Sequence, residues 1–149
     1  MKILTAVTMG LLGFLLIAQF ITIQHTNPPL KGDLVAPPRI KTLLRGACYD
    51  CHSNETRWPW YTYIAPVSWL IAHDVERGRQ ELSFSEWGSY YPATRIRKLQ
   101  WMGRALREEN MPPWTYRIFH PGAGLTHGDL AVVEQWIAAE INNQPEKQG

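Results

Sequence analysis

The chain has 149 residues, with 15 Lys and Arg against 13 Asp and Glu, for a net charge of +2. That length fits one domain large enough to bury a core, and so even a balance lacks the basic footprint of a nucleic-acid binder. Thiols are scarce and aromatic rings plentiful, with two Cys, seven Trp and six Tyr; the large flat rings suit either a cofactor wall or ordinary core packing.

In chain order, residues 3–23 carry no charge and Lys2 precedes them. About 21 residues at ~1.5 Å each reach across a hydrocarbon layer of about 30 Å. The leading cation favours a cytoplasmic N-terminus and an exported body. No small-x-small cleavage site follows Ala18, so residues 1–24 are expected to form an uncleaved transmembrane anchor, with a cleaved signal peptide as the alternative. Residues 25–38, containing Asn27-Pro28-Pro29 and Ala36-Pro37-Pro38, read as a stiff linker holding the domain off the membrane. His25 reads as an interfacial residue at the membrane edge.

The domain is assigned to residues 39–149. Pro38 is placed like a helix N1 proline, and Ile40, Leu43, Leu44 and Ala47 recur at helical spacing. An aromatic loop, Trp58-Pro59-Trp60-Tyr61 with Tyr63, comes next. Pro66 opens a second helix with Val67, Leu70, Ile71 and Val75 inward and Gly78 as its C-cap. Residues 84–92 read as a loop with one helical turn. Residues 94–109 make a third helix with an apolar stripe of Ile96, Leu99, Met102 and Leu106 and a solvated face of Arg and Lys. Residues 110–125 read as a loop. Thr126 then caps a last helix, with Asp129 in a weak capping-box position and Leu130, Val133, Ile137 and Ile141 buried. The expected class is all-α, with loops long enough to need an organising centre.

The two cysteines fall in Cys48-Tyr49-Asp50-Cys51-His52. C-x-x-C-H reads as a covalent c-type haem attachment site. Two thiols on one helical turn can reach the two vinyl groups of a single haem, and His52 then lies under the iron as axial ligand. A thioredoxin-like C-x-x-C would sit near a βαβ pattern, a structural zinc site would need a fourth ligand, and a plain disulfide would leave His52 without a role. Covalent haem attachment in bacteria is completed outside the cytoplasm, which agrees with the anchor. The expectation is therefore a single-pass protein of the bacterial inner membrane with its haem domain in the periplasm.

A second axial ligand is sought past the anchor. Met102 lies on an apolar stripe, where packing explains it. Met111 lies in Asn110-Met111-Pro112-Pro113-Trp114, where two prolines stiffen a loop that could present one thioether to iron. A gap-filling role for Met111 is the bland alternative. His73, His120 and His127 are rival ligands, His120 the strongest of them. The expected site is thus Cys48, Cys51, His52 and Met111, with iron held by His52 and Met111.

Residues 27–141 resemble a haem-binding domain family of exported bacterial proteins. The resemblance runs through Asn27-Pro28-Pro29, Ala47-Cys48-Tyr49-Asp50-Cys51-His52-Ser53-Asn54-Glu55-Thr56, Trp58-Pro59-Trp60-Tyr61, Ala65-Pro66-Val67-Ser68-Trp69-Leu70, His73-Asp74-Val75 and Glu109-Asn110-Met111-Pro112-Pro113-Trp114. It implies a cytochrome-c-like fold with one covalent haem carried by Cys48, Cys51 and His52, and it supports Met111 on the other side. It supplies neither a reaction nor a redox partner. The expected function is a membrane-anchored mono-haem c-type cytochrome transferring electrons. A haem-based sensor or small-ligand binder, or a peroxidase-like enzyme, would instead need an open sixth iron site.

Overall fold

The computed structural model describes residues 1–143, so positions 144–149 at the end of the assigned domain lie outside the described residues. Within that range the regular structure is helical, without strands, as the periodicity predicts. The α-helices are α1 (Lys2–Ala18), α2 (Pro38–Ala47), α3 (Tyr49–His52), α4 (Val67–Glu81), α5 (Pro92–Arg107), α6 (Trp114–Phe119) and α7 (His127–Asn142). Three 3₁₀ turns, Trp60–Tyr63, Phe84–Ser89 and Pro121–Ala123, join them.

The core is built from α2, α5 and α7. Ile40 and Leu44 of α2, Leu99, Met102 and Leu106 of α5, and Val133, Trp136 and Ile137 of α7 form one buried cluster. Leu34, Tyr49, Phe84 and Trp87 extend this cluster toward the cysteines. Pro38 opens α2, where its missing N–H costs nothing. Thr126 and Asp129 form a complete capping box on α7: the Thr126 hydroxyl accepts from Asp129 N–H, and the Asp129 carboxylate accepts from Thr126 N–H. Helix α5 begins at Pro92, two residues before the expected start, because a second N1 proline precedes Thr94. It ends in a Schellman turn in which Glu109 N–H donates to Leu106 O and Asn110 N–H to Ala105 O. Glu109 occupies the left-handed position of that turn, at φ 54°, where glycine is usual.

Four expectations change. The charge-free N-terminal run is helical only to Ala18, and among the described residues no helix is long and apolar enough to cross a membrane. It stops because Gln19 turns to the domain: its amide donates to Ala65 O at 3.1 Å and accepts from Ala65 N–H at 3.0 Å. Residues 25–38 are a bonded strap rather than a spacer. Asn27 donates to Thr56 O, Asn54 to Pro29 O, Lys31 N–H to Ser85 O and Leu34 N–H to Phe84 O. His25 belongs to the same strap: its Nε2 lies 2.8 Å from Thr62 O, and its ring packs on Trp58 and Tyr63. Gly78 is not a C-cap, since α4 continues to Glu81. Finally, the expected loop 110–125 contains α6 and a 3₁₀ turn, elements too short to show a helical period.

Candidate functional site

Helix α2 ends at Ala47, and the chain turns directly into the single turn of α3, with Cys48 between them. Cys51 and His52 N–H both donate back to Cys48 O. Both thiols therefore sit on one tight turn, three residues apart. Helix α4 lies across it at unusually close range: a Cβ on Gly78 would come 2.6 Å from the Cys51 carbonyl oxygen. Only glycine lets the two backbones touch there, which accounts for Gly78 in mid-helix.

This contact brings the end of α4 to His52. The His52 Nδ1 lies 3.0 Å from Leu82 O. A carbonyl can only accept, so Nδ1 carries the proton and Nε2 is left with its lone pair. Burial pulls the His52 pKa below the ordinary imidazole value, which keeps the ring neutral, the form a metal ligand requires. The ring meets Phe84 edge-on at 6.3 Å, and Phe84 in turn stacks on Tyr49 at 4.9 Å. Burial also pushes the Cys48 thiol up to about 12, helped by Cys51, and the Cys51 thiol up to about 11, helped by Asp50 and Asp74. Both are neutral thiols at physiological pH.

A cavity of about 780 Å³ opens over these groups, within the range of cofactor pockets. Cys48, Cys51, His52 and Met111 all line it, so the structure gathers the four expected site residues around one space. Val67, Leu70 and Ile71 of α4, read as core-facing, are on this wall, and only Val75 of that stripe is buried. Met102 is buried in the core and reaches the wall as well. Of the three rival histidines only His120 lines the cavity. Its Nδ1 lies 3.1 Å from Tyr116 O and its Nε2 3.4 Å from the Tyr61 hydroxyl. His73 faces a separate groove behind α4, and His127 is exposed at the start of α7.

Several site residues gave no sequence signal. Asp50, between the cysteines, is buried; it accepts from the Tyr116 hydroxyl at 2.7 Å and from Arg57 N–H at 3.1 Å. Burial first, then that bond to Asp50, raises the Tyr116 pKa, so Tyr116 stays a donor. Arg79 makes the densest set of bonds. Its guanidinium donates to Ser53 O, Thr26 O, Asn27 Oδ1 and Thr56 Oγ1, all between 2.8 and 3.1 Å. It joins the strap, the turn after His52 and α4 at one point.

The donor set fits haem. It offers one imidazole with a free Nε2, two thiols on one turn, a thioether lining the same space, and largely apolar walls. Trp58, also on the wall, buries its Nε1–H without a partner among the described residues. Among the described residues no group of three or more His, Cys, Asp or Glu side chains could hold a bare metal ion, and no strand is present for a thioredoxin-like unit. Fold and cavity thus define an all-α haem-binding domain. The chain matches the haem-binding domain family over residues 13–139 and belongs to that family. No curated protein and no solved structure matches it.

Proposed function

We propose that this protein is a mono-haem c-type cytochrome that carries electrons on the periplasmic side of the bacterial inner membrane. The observation that carries the reading is the His52–Leu82 bond, which aims a neutral Nε2 into the cavity shared by Cys48, Cys51 and Met111. When bound, haem supplies an iron that exchanges one electron between Fe(III) and Fe(II). Cys48 and Cys51 would hold the haem covalently through their sulfurs, and His52 Nε2 and the Met111 sulfur would bind its iron. Val67, Leu70 and Ile71 keep water from the ring, and the aromatic core beneath His52 keeps the imidazole from swinging. The expected architecture is cytochrome-c-like. Helix α1, mostly exposed and without charge after Lys2, supports attachment of the N-terminus to the membrane.

Optical spectra of the oxidised and reduced protein test this. A low-spin haem with a sulfur-to-iron band in the oxidised state is expected, and that band should vanish in Met111→Ala. A high-spin spectrum with ready carbon monoxide binding to the reduced protein would overturn it. It would favour a second reading, ligand binding or peroxidase-like chemistry, which one observation supports: His120, held between the Tyr116 carbonyl and the Tyr61 hydroxyl, lines the same cavity as a candidate acid–base group.

A further inference from the structure

We propose that the 3₁₀ turn Trp60–Tyr63 and the first turns of α4 form a membrane-seating surface that holds the haem cavity against the lipid interface beside α1. The inference rests on the reading that α1 is embedded in the membrane.

Two stretches without any Asp, Glu, Lys or Arg, residues 3–30 and 58–73, meet in the fold. Gln19 bonds Ala65 in both directions, the Trp69 indole N–H donates to Ile21 O at 3.3 Å, and His25 is bonded to Thr62 O. The end of α1 is therefore fastened to the domain and is no flexible tether. Around this joint the large apolar side chains point outward. Phe20 is 87 % exposed, Trp60 75 %, Tyr63 62 % and Ile64 45 %. Tryptophan and tyrosine at the exit of an apolar helix are the side chains that favour headgroup depth.

Charge and length both favour lipid as the occupant. A docking face for another soluble protein carries a polar, partly charged rim, and no formal charge occurs across residues 58–73. Helix α1 has 17 residues, about 26 Å at ~1.5 Å each, short of the ~30 Å hydrocarbon core. Drawing the domain onto the bilayer, with Phe20 and Trp60 at the interface, relieves that mismatch. Any membrane that takes α1 must also meet this patch unless the Gln19–Ala65 bonds break. Val67 and Leu70 line the haem cavity, so the cofactor edge would lie at the membrane plane and exchange electrons with a partner held there.

The test is photo-crosslinking of the full haem-loaded chain in vesicles of phosphatidylethanolamine and phosphatidylglycerol. A benzophenone amino acid is placed in turn at Phe14, Trp60 and the exposed Ala138 of α7, and an unchanged haem spectrum shows that each variant folds. Lipid adducts at Phe14 and Trp60, with roughly ten-fold fewer at Ala138, are expected from interfacial burial of Trp60. Adducts at Phe14 but not Trp60 would overturn the seating surface and leave the embedded helix standing. Adducts at neither would overturn the embedded helix, and the seating surface with it. Equal labelling at Ala138, or protein adducts replacing lipid at Trp60, would also overturn the proposal.

Discussion

The two walls of the cavity are held very differently. On the Cys48–His52 side, Ser53, Asn54 and Thr56 are buried and bonded: Ser53 Oγ to Tyr49 O, Asn54 N–H to Ser85 Oγ, and Thr56 Oγ1 to Asp50 O. Arg79 ties that turn to the strap and to α4. On the Met111 side, α6 has no buried residue and is joined to the rest of the cavity wall by the Tyr116–Asp50 bond, the Tyr61–Phe119 ring contact at 4.9 Å and the longer Tyr61–His120 contact. The contrast teaches that the His52 wall is part of the folded framework, whereas Met111 is brought to the cavity on a lightly held segment. Under the proposed function, the histidine side would fix the iron's place and the sulfur side could adjust to it at little cost in packing.

The largest expected effect lies on the rigid side. Arg79→Ala should destabilise the full chain by about 3 kcal/mol in urea unfolding, because charged hydrogen bonds to several partners go together. A loss no greater than that of Tyr116→Phe would remove the asymmetry. Gly78→Ala should cost about 2 kcal/mol, since the added methyl must push α4 away from the Cys51 carbonyl; it should also disturb the haem spectrum, and a variant with wild-type stability and spectrum would refute the contact. Tyr116→Phe should cost only about 1 kcal/mol while speeding the entry of added ligands such as cyanide, measured by stopped flow. The smallest effect is a gain: Glu109→Gly relieves the left-handed residue two positions before Met111 and should stabilise by about 0.5–1 kcal/mol in the same unfolding measurement.

What could be read from the sequence were features with local chemistry. The C-x-x-C-H spacing is covalent geometry, the prolines before α2 act within one turn, and the Thr126–Asp129 box closes over three residues. Misreadings arose where a residue serves something distant in the chain. Gly78 looked like a helix stop because its partner, the Cys51 carbonyl, lies 27 positions earlier. The proline-rich segment looked like a free linker because Asn27 and Pro29 find Arg79 and Asn54 only in the fold. Gln19 sat unnoticed in an apolar run, although it is the residue that ends α1. The short α6 left no period to detect, so Tyr116 and its bond to Asp50 were missed altogether.

The Leu82 carbonyl beside His52 has a further electronic meaning. It belongs to the residue that ends the 15-residue α4, where the aligned peptide dipoles leave a partial negative charge. An imidazole whose N–H points at a negative pole is a more generous electron donor through its other nitrogen. An iron bound to it would hold its electron less tightly, so this helix terminus would lower the reduction potential of a haem held by His52.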